Sequence, residues 1–164
     1  MPLFLHWSLA LLSAHIPALA PAAPELSPQA VTACVAATQA DVQKALGEAV
    51  AKGEEHTDAS DSTCDYATDS GLVSITLHRS AVKLNVPSAI ADLKTAMPEA
   101  RLRGAPGIGK RAFFVDLAGD GAELFIIRGD YEFLFVSVLG FGDAARVSPV
   151  AERIALRALG RIGD

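Results

Sequence analysis

The chain has 164 residues, with 14 basic and 19 acidic side chains and a formal net charge of -5 at pH 7. This negative balance argues against a nucleic-acid-binding protein, because neutralising phosphates requires a basic surface. Hydrophobic residues make up 51% of the chain and charged residues 20%, which is typical of a folded globular domain and not of a disordered chain.

The N-terminal segment predicts an export signal. Residues 3–20 are mostly apolar and contain no Lys, Arg, Asp or Glu, and residues 18–24 consist of small residues, a leucine and prolines. This texture is typical of a cleaved signal peptide, although the absence of Lys and Arg from residues 1–6 is unusual. We expect a signal over residues 1–22, cleaved after Ala22 or Ala23, and a proline-containing tether over residues 23–33. An uncleaved anchor is the alternative.

The chain contains two cysteines, Cys34 and Cys64. In an exported protein they mature in an oxidising compartment, so we expect them to form a disulfide. A bridge that closes a loop of about 30 residues would stabilise the fold by roughly 3–4 kcal/mol. Residues 31–34 also fit a bacterial lipoprotein box, but prolines separate them from the apolar stretch. Lipid anchoring at Cys34 is therefore not expected.

The sequence after the tether predicts a single α+β domain over residues 34–164, with the element order α-β-β-α-β-β-β-α. Thr38 and Asp41 predict the start of the first helix, and Gly47 lies where it should stop. The other predicted elements are strands over 64–67 and 72–79, a helix that Pro87 opens and Pro98 ends, strands over 112–117, 122–128 and 131–139, and a last helix opened by Ser148 and Pro149. Residues 54–63 and 101–111 read as loops. We expect an antiparallel sheet of about five strands, a hairpin plus a three-stranded meander, flanked by about three helices.

The last three predicted strands are apolar on both faces. Such strands are either covered on both sides or leave one apolar face for a partner. Phe125, Phe133 and Phe135 are therefore candidate partner-binding residues.

A row of arginines follows one side of the last predicted helix. Arg153, Arg157 and Arg161 recur every four residues, opposite the apolar side that contains Ile154. They are candidate contacts for anionic lipid headgroups or an acidic partner, which would allow a peripheral membrane contact. The solvated face of an amphipathic helix explains the same pattern.

Four other sequence patterns do not predict a functional site. Residues 104–111 differ from a phosphate-binding loop because Arg111 replaces the required hydroxyl and a strand follows. Residues 128–130 spell Arg-Gly-Asp, which a hairpin turn explains. The acidic run over residues 54–69 lacks the spacing of a Ca²⁺ loop. His56 and His78 belong to no zinc or nucleophile motif, so we expect no catalytic residue, metal or cofactor, although a Ser–His–Asp group from distant positions stays open.

Three short segments carry a family resemblance: residues 34–47 (CVAATQADVQKALG), Cys64-Asp65-Tyr66 at the start of a strand, and Gly107-Ile108-Gly109 before an aromatic strand. They resemble small secreted or lipid-anchored bacterial domains of unknown function with a Mog1/PsbP-like architecture. The resemblance implies a helix-flanked antiparallel sheet in the cell envelope and no established chemistry. The first segment is also similar to a helix of outer-membrane assembly lipoproteins and β-lactamase-inhibitor-like domains.

These observations favour an exported, non-enzymatic domain of the cell envelope. It would bind a protein or an envelope component through its sheet face or a helix edge, as a monomer or a homodimer. One alternative is a periplasmic carrier of a small molecule or metal, with a cavity between sheet and helices. A cryptic hydrolase is the other.

Overall fold

The computed structural model of the protein describes residues 31–109 and 111–163. In these residues it has an α+β fold with one antiparallel sheet of seven strands and four helices. The helices are α1 (Ala33–Ala36), α2 (Gln39–Leu46), α3 (Val86–Ala96) and α4 (Ala144–Ile162). The strands are β1 (Glu54–Thr57), β2 (Asp61–Ala67), β3 (Leu72–Arg79), β4 (Arg101–Gly104), β5 (Ala112–Leu117), β6 (Gly121–Arg128) and β7 (Glu132–Leu139). Their spatial order is β1-β2-β3-β7-β6-β5-β4. The predicted signal peptide and most of the tether lie outside the described residues.

Helix α2 begins as the sequence predicts. The Thr38 side chain accepts a hydrogen bond from the backbone N–H of Asp41, and the Asp41 carboxylate accepts one from the backbone N–H of Thr38. This reciprocal pair satisfies two backbone donors that a helix start leaves without partners. The helix ends at Gly47, whose φ of 81° is a left-handed conformation that glycine adopts without strain.

The first face of the sheet carries the main core. Alternate residues of the central strands point to this face, and Ile75, Leu124, Leu134 and Val136 are fully buried there. Helix α4 covers them with a row of small and branched side chains, among them Ile154. A stripe of small residues lets the helix approach the sheet closely, so this side of the protein is densely packed.

Helix α1 and the disulfide complete this layer. Cys34 and Cys64 lie at disulfide-bonding distance with their Cα atoms 5.0 Å apart, as predicted, and the bond fixes α1 to β2. The hydroxyl of Tyr66 donates a 2.6 Å hydrogen bond to the carbonyl of Ala37. Burial raises the pKa of Tyr66 to about 12, so the phenol stays protonated and keeps donating.

The second face of the sheet is divided in two. On the side of β1–β3 it carries polar residues such as Thr63 and Thr76, whose hydroxyls lie 2.9 Å apart. On the side of β5–β7 it carries phenylalanines, isoleucine and valine, and Val115 is fully buried there. Helix α3 lies over this apolar half. Two alternatives were expected for the meander: coverage on both sides, or one apolar face left for a partner. The structure shows partial coverage of the second face, by α3.

The predicted counts of five strands and three helices were too low. Residues 54–57 and 101–104 form the edge strands β1 and β4, where the sequence predicts loops. All four side chains of β1 are exposed and none of the side chains of β4 is fully buried, so neither shows the apolar alternation that marks a strand. Each forms because a neighbouring strand offers its free edge.

The predicted start of the last helix was also wrong. Helix α4 begins at Ala144, with Asp143 as its N-cap, and Pro149 lies inside it. The proline removes one backbone donor from the helix. The neighbouring Ser148 hydroxyl donates to the carbonyl of Ala144, one turn earlier, and the helix continues.

Candidate functional site

Aromatic side chains form a continuous floor on the second face of the sheet. Phe113, Phe125 and Phe135 are register partners across β5, β6 and β7. The ring centroids of Phe125 and Phe135 are 4.7 Å apart, and those of Phe125 and Phe133 are 6.3 Å apart. All four rings are only partly buried. The structure therefore brings the three predicted phenylalanines together and adds Phe113.

Helix α3 forms a roof over this floor. A cavity of about 180 Å³ lies between them, with Val86, Ala89 and Leu93 on the helix side and Phe113 and Phe125 on the sheet side. Its lining is apolar except for the helix cap residue. An engineered apolar cavity of about 150 Å³ takes up a benzene-sized molecule, so a space of this size can hold a small apolar group.

Among the described residues, helix α3 lies over the sheet without polar contacts to it from its own side chains. None of its residues is fully buried. Within residues 31–109 and 111–163, its side chains make no hydrogen bond or ion pair to the sheet. The polar contacts belong to its ends: Asn85 Oδ1 accepts from the backbone N–H of Ser88, and the backbone N–H of Leu84 donates to the carbonyl of Asp130.

Helix α4 on the other face is held very differently. Arg153 donates to the carbonyl of Ala45 at 2.8 Å, and Arg161 donates to the carbonyl of Ala36 at 2.7 Å. Arg161 also forms a 2.7 Å ion pair with Asp41. Two of the three predicted partner-binding arginines are thus used to fix α1 and α2 against α4.

Arg157 lies beside a second cavity, of about 230 Å³, between α2 and α4, together with Lys44. A role for the arginine row in contacting an anionic partner stays a prediction. Unlike Arg153 and Arg161, Arg157 forms no hydrogen bond or ion pair within the described residues.

A basic groove adjoins α3 on its outer side. It has a volume of about 590 Å³ between α3 and the edge formed by β4 and β5. The basic side chains Lys83, Lys94 and Arg111 line it, together with the acidic Asp130. Arg103 also borders the groove, but its guanidinium lies on the opposite face of the sheet, 4.1 Å from the centroid of the Phe114 ring. These side chains were not predicted as a site, since they are far apart in sequence and no motif links them.

His78 lies in a third space, of about 320 Å³, at the end of the sheet near β2. Its Nδ1 is 2.6 Å from Asp61 Oδ1, and its ring is stacked on Phe133 with centroids 4.5 Å apart. The His78 side chain is 23% exposed. His56 is 67% exposed and 4.0 Å from Asp65 Oδ2.

The His78–Asp61 pair does not extend to a catalytic triad in the described residues. Ser60 is the neighbouring hydroxyl, and its oxygen lies within hydrogen-bonding distance of the carboxylates of Asp58 and Asp61. No hydroxyl among residues 31–109 and 111–163 is hydrogen-bonded to the second imidazole nitrogen, where a nucleophile would lie. A serine, a histidine and an aspartate are therefore close together, but the serine is not hydrogen-bonded to the histidine as a hydrolase requires.

The remaining sequence patterns lie in turns or on strands. Gly129 and Asp130 form the turn between β6 and β7. The glycine-rich segment over 105–109 joins β4 to β5, so it connects two strands and not a helix to a strand. In the described part of the chain, no group of three or more His, Cys, Asp and Glu side chains is arranged to hold a metal ion. None of the helices described there is both long and apolar enough to span a membrane.

No protein-family model, curated protein or solved structure matches this chain. The Mog1/PsbP-like resemblance stays a prediction. The candidate site is therefore argued from its own geometry.

Proposed function

We propose that the protein is an exported, non-catalytic binding domain that holds an apolar envelope component between α3 and the sheet. The observation that carries this proposal is the apolar cavity of about 180 Å³ between α3 and the phenylalanine floor. The sequence predicted binding through the sheet face and, as an alternative, binding in a cavity between sheet and helices. The proposed site combines the two.

The attachment of α3 supports a binding role over a purely structural one. A helix that only completes a core buries side chains, as α4 does with Ile154 and Ala155. Helix α3 buries none fully and leaves space beneath it. Elements that move on ligand binding come from the least stable parts of a fold, and few buried contacts are the physical sign of such a part.

The disulfide supports the exported setting. Disulfides persist in oxidising compartments and are rare in the cytosol. Cys64 is fully buried under α1, so the bond belongs to the core and not to a reactive surface. The signal peptide that would direct export lies outside the described residues.

The experiment is a binding titration with the neutral apolar dye N-phenyl-1-naphthylamine, whose fluorescence rises in apolar surroundings. Ala89→Leu adds three carbons to the roof of the cavity, and we expect it to weaken dye binding about tenfold by filling the space. Ala91→Leu is the matched control, because both alanines are exposed residues of the same helix but Ala91 lines none of the described cavities. Absence of dye binding by the unaltered protein, or equal effects of both variants, would overturn the proposal.

A further inference from the structure

The charge around the α3 site differs in sign from the charge of the whole protein. The chain carries a net charge of -5, yet three basic side chains, Lys83, Lys94 and Arg111, and one acidic side chain, Asp130, line the groove beside α3. Asp130 is paired with Lys83 at 2.8 Å.

The other two basic groups of the groove are Lys94, on α3, and Arg111, at the start of β5. Neither has an ion-pair partner within the described ranges 31–109 and 111–163. A positive rim that the fold does not neutralise favours an anionic group on the ligand.

The basic groove and the apolar cavity are contiguous. Four side chains line both of them: Leu84, Val86, Phe113 and Ile127. A molecule with its charged end in the groove can therefore place an apolar end under α3. The groove alone, at about 590 Å³, has the size of a small-molecule site, which ranges over about 300–1,000 Å³.

We infer that the site binds a monomeric, single-chain anionic amphiphile, of which a long-chain carboxylic acid is the simplest example. Its carboxylate would lie between Lys94 and Arg111, and its hydrocarbon chain would lie under α3 against Phe113 and Phe125. This inference rests on the proposed function, since it names the ligand class of the same site.

The combination of a basic rim with an apolar cavity favours a free amphiphile over a macromolecule. An acidic protein or a bilayer would contact the basic rim but would leave the cavity under α3 empty. A purely apolar ligand would fill the cavity and leave Lys94 and Arg111 without a counter-charge. A free long-chain acid satisfies both features with one molecule.

The test measures displacement of N-phenyl-1-naphthylamine by dodecanoate and by the matched neutral dodecanol. The double variant Lys94→Glu/Arg111→Glu reverses the free charges of the rim. Lys44→Glu/Lys52→Glu is the control, because it changes the net charge equally at exposed positions that line neither the groove nor the cavity. We expect the rim variant to weaken dodecanoate binding about tenfold and to leave dodecanol binding unchanged, which also shows that the variant is folded.

Chain length is a second readout of the same site. Each methylene that enters the apolar space should strengthen binding of the acid about fourfold, from octanoate to dodecanoate, until the cavity is full. Equal affinities for octanoate and dodecanoate would overturn the placement of the chain under α3.

The outcomes separate this inference from the proposed function. Dye binding with equal displacement by dodecanoate and dodecanol, unaffected by the rim variant, would overturn the inference and leave the apolar site in place. Absence of dye binding would overturn both. Co-sedimentation with phosphatidylglycerol vesicles, with no displacement of dye by dodecanoate, would also overturn the inference, because the basic rim would then contact a bilayer surface.

Discussion

The ring of Phe113 is stacked on the ring of Phe125, with centroids 5.2 Å apart and planes inclined by 9°. The two residues are direct partners on β5 and β6, and both face α3 across the cavity. Aromatic pairs of this kind contribute about 0.5–1.5 kcal/mol beyond the area that they bury. The Phe113–Phe125 pair is therefore a rigid part of the sheet face, whereas helix α3 above it is loosely packed.

Phe125→Ala should remove the centre of this floor. We expect it to lower dye affinity about tenfold and the free energy of unfolding by about 1–2 kcal/mol, less than the 3–5 kcal/mol typical of a fully buried phenylalanine, since Phe125 is only partly buried. Dye titration and urea unfolding measure the two effects. Tyr131→Ala is the control, because Tyr131 is 51% exposed and its loss should cost under about 0.5 kcal/mol. An unchanged dye affinity in the Phe125 variant would place the site elsewhere.

Breaking the Cys34–Cys64 bond should destabilise the whole domain. The cysteines are 30 residues apart, which corresponds to about 3–4 kcal/mol in the chain-entropy account. Denaturant unfolding of Cys34→Ala/Cys64→Ala, compared with the unaltered protein with and without reductant, measures this loss. If reductant leaves the unfolding midpoint of the unaltered protein unchanged, the disulfide contributes nothing to stability.

The Asp41–Arg161 contact predicts a pH dependence. A hydrogen bond from the Arg161 guanidinium lowers the pKa of Asp41 to about 2, from an ordinary value of 3.8. The folded pKa is below the unfolded one, so the stabilisation is complete above about pH 5 and is lost as the pH falls through 3.8 towards 2. Because Arg161 is 38% exposed, solvent screening limits the contribution to about 1 kcal/mol.

Asp41→Asn should therefore cost about 1 kcal/mol at pH 7, and the cost should shrink as the pH approaches 2. Urea midpoints of the variant and the unaltered protein, measured from pH 7 to pH 2, provide the test. A stability difference that stays constant across this range would show that the charge of Asp41 is irrelevant.

Glu123 predicts an effect of the opposite sign. It faces Ser137 on β7 on the second side of the sheet, and burial raises the pKa of its carboxyl. Ionised Glu123 therefore opposes folding, and this cost shrinks as the pH falls through the folded pKa and disappears below the ordinary value of 4.5. We expect Glu123→Gln to raise the urea midpoint at pH 7 and to have little effect at about pH 3, where the carboxyl is protonated in both states. A lower midpoint at pH 7 would mean that the carboxylate is stabilised by its surroundings.

The local signals in the sequence predicted much of the fold. The Thr38–Asp41 cap, the proline-opened α3, the strands over 72–79 and 112–117 and the cysteine pair each depend on residues that are close in sequence or on simple alternation. The edge strands could not be predicted in the same way. Their side chains are largely exposed, and their backbone hydrogen bonds depend on which neighbour offers an edge.

Only part of the candidate site could be predicted, because the rest depends on residues that are distant in sequence. The phenylalanines of β6 and β7 were identified because they alternate along strands that are apolar on both faces. The position of α3 over one of these faces brings residues around 89 opposite residues around 113 and 125, which are distant in sequence. The basic rim depends on the same placement, since Lys94 belongs to α3 and Arg111 directly precedes β5.

Hydrogen–deuterium exchange of the folded protein, with and without dodecanoate, tests the central claim most directly. Helix α3 has no fully buried residue and no polar contact to the sheet among the described residues, so its amides should exchange much faster than those of α4 in the free protein. Dodecanoate should slow exchange in residues 86–96 and leave exchange in α4 unchanged. Helix α3 amides that are as protected as those of α4 without ligand, and unaffected by dodecanoate, would contradict the account.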